Sequence, residues 1–125
     1  MPEFFYTTAK NNQARPSDYF RTVPVAGSLG ADIYDIDLNN LSDAGQAALR
    51  QALLDHGVIY IRDQNLSVAQ LEAVTQRFGE FGKEPYVQPM ADHPHVVHVL
   101  KEAGEGNPFV FGGAWHSDWS FQERP

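Results

Sequence analysis

A chain of 125 residues with 42% hydrophobic, 20% charged and 12% aromatic residues suits one soluble domain, 1–125, with a real core. Nine basic against sixteen acidic side chains leave a formal net charge of -7, which argues against a nucleic-acid partner. The sequence has no cysteine, which excludes disulfides, zinc–thiolate sites, iron–sulfur clusters and a cysteine nucleophile.

Met1 to Lys10 has no basic region followed by a long apolar run, so no signal peptide is expected. The lack of cysteine fits a reducing cytoplasm, and the apolar stretches are too short to cross a bilayer, so no membrane partner is expected. Residues 1–22 are polar and mixed and read as an arm or leading loop. Val23 to Leu38 carries strand-like stretches broken by Gly27 and Gly30, with Ile33, Tyr34, Ile36 and Leu38 as β-formers.

Ser42 has the character of a helix N-cap, with Asp43 in the first turn. Leu49, Ala52, Leu53 and His56 recur at helical spacing, and Gly57 ends that helix. Val58 to Arg62 (VIYIR) is short, β-branched and aromatic, which predicts a strand. Ser67 and Gln70 have capping-box spacing, with Leu66 and Leu71 as the hydrophobic staple. Leu71, Val74 and Phe78 give the second helix one apolar face, and Gly79 is its expected stop. Residues 82–95 hold three prolines and no periodicity and read as a loop, and Val96 to Leu100 (VVHVL) is a strand candidate. A glycine-rich stretch, Gly104 to Gly113, leads into Ala114–Phe121 (AWHSDWSF), read as extended. This order predicts an α+β arrangement leading into a β-rich body.

The chemistry concentrates in His116 and Asp118. On an extended segment residues i and i+2 share a face, with Cβ atoms roughly 7 Å apart, so one imidazole and one carboxylate can converge on a cation. Such a pair is two-thirds of the two-histidine, one-carboxylate set that leaves positions open on Fe(II). The spacing by itself also fits a strand with two incidental polar residues. Trp115, Trp119 and Phe121 flank the pair and suit a partly buried pocket.

Other candidates are weaker. His93, His95 and His98 cluster in sequence without a carboxylate or sulfur at convincing spacing, and read as surface histidines. Asp35, Asp37 and Asn39 imitate the opening of a calcium loop, but Asn40 stands where glycine is needed and Gln46 where a bidentate glutamate is needed. Gly27, Gly30, Gly112 and Gly113 form no phosphate-binding loop, and Ser117 and Ser120 lie on no nucleophile elbow.

Three ordered stretches carry a resemblance. Gly112–Phe121 (GGAWHSDWSF) resembles the iron-binding strand of the taurine/2,4-dichlorophenoxyacetate dioxygenase family. Gly57–Gln64 (GVIYIRDQ), followed by a helix ending in Arg77–Glu80 (RFGE), and Gly30–Leu38 (GADIYDIDL) are similar to the same family in the same order. The resemblance covers most of residues 25–125. It implies the N-terminal part of a double-stranded β-helix, or jelly roll, with flanking helices, ending after the His-x-Asp strand. It also implies Fe(II), O₂ and 2-oxoglutarate as co-substrate, with oxidation of a small organic acid or related molecule.

Carried over residue by residue, His116 and Asp118 become the first two iron ligands, and Ser117 points away from the metal. Trp119 falls where the family lines its substrate pocket. The family's distal histidine, its 2-oxoglutarate-clamping arginine and an assisting threonine all lie downstream of this motif. The resemblance therefore implies a fragment with no co-substrate-binding residue of its own, inactive alone. Its unpaired strand faces and aromatic rings favour self-association into a homo-oligomer or aggregate. In the taurine enzyme a histidine and a tyrosine follow the FGE-like motif, and an asparagine shortly precedes the first iron ligand. Here Glu84 stands at the histidine position, Tyr86 near the tyrosine position and Gly112 at the asparagine position, which disfavours taurine. A truncated, non-catalytic α+β domain that binds a partner or has no independent role remains the alternative.

Overall fold

The computed structural model describes residues 12–82, 86–106, 112–118 and 120–122. The chain forms two compact units, Met1–Gln70 and Leu71–Pro125.

The first unit is built on a three-stranded sheet of order β1-β2-β3. β1 (Arg21–Pro24) runs antiparallel to β2 (Ala31–Tyr34), with Thr22 opposite Ile33. The chain reverses between them, and the Val25 N–H donates to the Gly30 carbonyl. β2 ends where Asp35 takes φ 62, a torsion no ladder residue holds. Ile36 and Leu38, expected to prolong the strand, instead lead into a 3-10 turn, Leu38–Asn40.

β3 (Ile59–Ile61) lies parallel to β2, with Ala31 opposite Ile59 and Ile33 opposite Ile61. Parallel neighbours need a crossover, and helix α1 (Asp43–His56) provides it. Its start follows the sequence expectation: the Ser42 hydroxyl accepts the Gly45 N–H at 3.1 Å. Its stop does too, because Gly57 takes φ 72 and its N–H returns to the Leu53 carbonyl. The buried face of α1 comprises Gly45, Gln46, Leu49, Ala52 and His56. Ile33 and Leu49 are the largest fully buried side chains, and Phe20, Ala31 and Leu38 complete the apolar core.

Polar contacts tie the unit together. Asp32, buried on the central strand, accepts from the Arg62 guanidinium at 3.0 Å. The Gln64 amide accepts the Leu38 N–H and donates to the Ile36 and Arg62 carbonyls, each at 3.0 Å. Two of the family-like stretches, 30–38 and 57–64, are thus one hydrogen-bonded body. The leading segment docks through Asn12. Its amide N–H groups donate to the Ala26 and Gly30 carbonyls at 2.8 and 2.7 Å, and its carbonyl oxygen meets Nδ1 of the buried His56.

Helix α2 (Val68–Gln76) opens on the predicted capping box. The Gln70 N–H donates to the Ser67 hydroxyl at 3.2 Å, and the Ser67 N–H donates to the Gln70 side-chain oxygen at 2.7 Å. The helix ends before Gly79, in a tighter turn: Arg77 and Phe78 donate three residues back, to Val74 and Thr75.

In the second unit two strand expectations fail. Val96–Leu100 forms no strand, and neither do the described residues of Ala114–Phe121, 114–118 and 120–121. A strand needs a ladder of backbone bonds to a neighbour, and among the described residues neither stretch joins one; Val96 exchanges single bonds with Met90 and His93, at 2.8 and 3.0 Å. The second unit's described β-pairing is the isolated bridge between Met90 and His93. Among the described residues no helix is long and apolar enough to cross a membrane.

Candidate functional site

His116 and Asp118 come together, though not by the predicted route. The segment carrying them is a loop, and loop curvature rather than strand alternation brings the side chains to one point. His116 Nε2 lies 3.0 Å from Asp118 Oδ1. The other ring nitrogen is also held: Nδ1–H donates to the Ala114 carbonyl, two residues upstream, at 2.7 Å. A carbonyl and an ionised carboxylate can both only accept, so each ring nitrogen faces an acceptor; when a cation takes the lone pair on Nε2, the ring's one proton belongs on Nδ1. Two lone pairs at that distance repel unless a proton or a cation lies between them. Without a cation, the proton answers. The Ala114 carbonyl first, and the Asp118 charge second, hold the His116 pKa above its usual value.

The donor set suits a divalent transition metal. A neutral imidazole nitrogen whose opposite N–H is anchored to a backbone carbonyl is the usual presentation of a histidine ligand. Two donors about 2.1 Å from a shared cation and at right angles to each other stand about 3.0 Å apart, the observed separation. Among the described residues no group of three histidine, aspartate or glutamate side chains converges, so this chain's described share of such a site is two ligands.

The surroundings differ from the sequence expectation of a partly buried aromatic pocket. His116 and Asp118 are exposed, with side chains 53% and 83% accessible, and Trp115 is fully exposed. A cavity of about 390 Å³ opens beside the imidazole, lined by Gly112, Gly113, Ala114, Trp115 and His116. Tyr86 packs edge-on against Phe121, the ring three residues beyond Asp118, at 5.9 Å between centroids. Trp119 and Glu84 lie outside the described residues.

The remaining histidines form no shared site. His93 Nδ1–H donates to Glu72 on α2 at 2.7 Å, His95 stacks on Phe81 at 4.3 Å, and His98 is exposed. Sequence reading missed the Glu72 partner because the two residues are twenty-one apart, with only a helix spacing and a loop between them. It also missed the Ala114 carbonyl, a backbone group with no side-chain signature. Asp37, set aside as a calcium ligand, caps the 3-10 turn instead, accepting the Asn39 N–H at 2.9 Å and the Asn40 amide at 2.6 Å.

A family profile described as "Taurine catabolism dioxygenase TauD, TfdA family" matches residues 21–125. The chain belongs to this dioxygenase family. Among curated relatives, the α-ketoglutarate-dependent sulfonate dioxygenase of Saccharomyces cerevisiae is 29% identical over 81% of this chain and 27% of its own length. The (S)-phenoxypropionate/α-ketoglutarate-dioxygenase of Delftia acidovorans is 31% identical over 78% of this chain and 36% of its own. The crystal structure of a putative α-ketoglutarate-dependent taurine dioxygenase from Burkholderia xenovorans superposes with a TM-score of 0.55 at 30% identity, covering 60% of this chain and 28% of that one. The chain thus spans about a quarter to a third of the length of the TauD/TfdA relatives it matches.

Proposed function

We propose that these residues are part of a non-haem Fe(II), 2-oxoglutarate-dependent dioxygenase acting on a small organic acid or a related molecule, with His116 and Asp118 as two of its three protein ligands. The single observation that carries the reading is the 3.0 Å approach of Nε2 to Oδ1 with Nδ1–H anchored on Ala114, in a chain of the TauD/TfdA family. The two compact units belong to one dioxygenase domain, since the family match runs through both without a break. The small sheet and its helices form the entry to a jelly roll, and the relatives' greater length accommodates the remaining strands. By resemblance, the distal histidine and the 2-oxoglutarate-binding arginine belong to that further length, so residues 1–125 alone release no succinate.

When bound, Fe(II) supplies the redox chemistry that activates O₂ and decarboxylates 2-oxoglutarate. The chain's own residues do the positioning. The Ala114 carbonyl accepts the Nδ1 proton, which orients the ring and leaves Nε2 to give its lone pair to a bound cation. Asp118 contributes a negative charge at the same point, which favours a divalent cation over a neutral occupant. The cavity beside the imidazole offers backbone, an alanine methyl and an indole rather than charge, so it suits the uncharged part of a substrate. The enzyme operates as a soluble, cytoplasmic oxygenase.

A second reading, a non-catalytic α+β domain, is favoured by the lack of a third converging ligand among the described residues. Metal removal separates the two. In the longest natural form of the protein that contains these residues, succinate release from 2-oxoglutarate should stop on chelation and return with Fe(II) but not with Zn(II). Release that is indifferent to chelation, or absent with Fe(II) across a broad substrate panel, favours the second reading.

A further inference from the structure

Ala48, Gln51, Ala52, Asp55 and His56 stand three and four residues apart on one stripe of α1, and residues 15–20 lie across that stripe. Ala48 and Ala52 are short, so the two surfaces do not close, and a cavity of about 250 Å³ remains between them. Its deep wall is Phe20, Ala52 and the His56 ring, each less than a tenth exposed. Its rim is polar but already engaged: Asp55 accepts from Arg15 at 3.0 Å and from the Gln51 amide at 2.9 Å. Asn12 sets the polarity of the His56 ring. Its amide N–H bonds go to the Ala26 and Gly30 carbonyls, so its oxygen accepts from Nδ1. In the neutral ring Nε2 is then a lone-pair acceptor. No described residue donates to it and it is not sealed in, so its open side is the cavity.

We propose that this cavity is a binding site for a small neutral phenol, whose ring lies on the apolar walls and whose hydroxyl donates to His56 Nε2. The size fits, since about 150 Å³ already admits benzene. Water is a poor occupant at depth, because it needs about two to four polar partners and the deep wall offers one. Charge is disfavoured in both signs. An anion brings its own lone pairs to Nε2, and a cation finds Asp55 already taken by Arg15 and Gln51. The site lies within the first unit and does not rest on the dioxygenase reading, which concerns His116 and Asp118.

Ligand titrations into the longest natural form of the protein that contains these residues, followed by the ring-nitrogen signals of its histidines, test this. Phenol at millimolar concentration should move the His56 Nε2 signal saturably, in the direction of an accepted hydrogen bond, while the His93 ring, held by Glu72, stays unmoved. Toluene, of similar size but without a donor, should not produce that shift. Benzoate and benzylammonium should bind at least about tenfold more weakly than phenol, the scale of one buried polar contact left unmet. Ala48→Leu, which fills the space, should weaken phenol binding by about tenfold or more and leave the denaturation midpoint unchanged or higher, since cavity filling commonly stabilises. The inference is overturned by the absence of a saturable shift, by toluene moving Nε2 as phenol does, or by a preference for benzoate or benzylammonium. Undiminished phenol binding by a folded Ala48→Leu overturns it as well. Should that variant fail to fold, the four ligands on the natural sequence decide alone.

Discussion

His56 and Asn12, forty-four residues apart, share a hydrogen bond whose direction is fixed by its surroundings. Both N–H bonds of the Asn12 amide are spent on the Ala26 and Gly30 carbonyls, so its oxygen must accept and His56 Nδ1 must donate. His56 is only 3% exposed at the end of α1, and its own carbonyl receives the Gly30 N–H at 2.8 Å. One asparagine thus links the leading segment, the β1–β2 turn and the helix end.

Asn12→Ala should therefore cost more than a surface change. It leaves the buried His56 Nδ1–H without its acceptor, a penalty of about 1–3 kcal/mol. Chemical denaturation of the variant against the natural chain checks this. A loss below about 0.5 kcal/mol, the usual bound for surface substitutions, would contradict it.

Asp37 gives a pH dependence with a definite sign. The Asn40 side chain first, and the Asn39 backbone N–H second, hold its carboxyl below the ordinary carboxylate value. A lowered folded pKa means that the stabilisation is fully present above the unfolded value, about 3.9, and fades as pH falls through the lowered one. The stability gap between the natural chain and Asp37→Ala should be constant near neutrality and close in strong acid. A gap that widens in acid would show that the charge, as held here, opposes folding.

Much of the first unit was legible because its signals are local. Ser42, Gly57, Ser67 and Gln70 each act on backbone groups within four residues, and each does what its spacing foretells. VIYIR forms the expected strand because β2 lies beside it to complete the pairing. Val96–Leu100 and Ala114–Phe121 have comparable strand character but no described ladder partner, and propensity without one yields no strand. At the site, the motif named the two side chains that meet, His116 and Asp118. It could not name the Ala114 carbonyl, because every residue carries one, nor the left-handed turn at Gly112, because glycine permits that torsion without requiring it.

The family resemblance implies a substrate preference. Gly112 offers no side-chain donor at the position where the taurine enzyme has an asparagine, and Glu84, at the position of that enzyme's histidine, would repel a sulfonate there. Taurine should be a poor substrate. Oxygen uptake compared across taurine, aryloxy acids, alkyl sulfates and other carboxylates checks this, and taurine as the best of the panel would show that these positions do not contact the substrate.

The central claim is that His116 and Asp118 hold the iron. Succinate release by the longest natural form of the protein, compared among the natural sequence, His116→Ala and Asp118→Ala, tests it most directly. Each variant removes one of three protein ligands, so iron-dependent release should fall at least about a hundredfold, while the denaturation midpoint stays near that of the natural sequence because both side chains are exposed. Undiminished succinate release by His116→Ala would contradict the account.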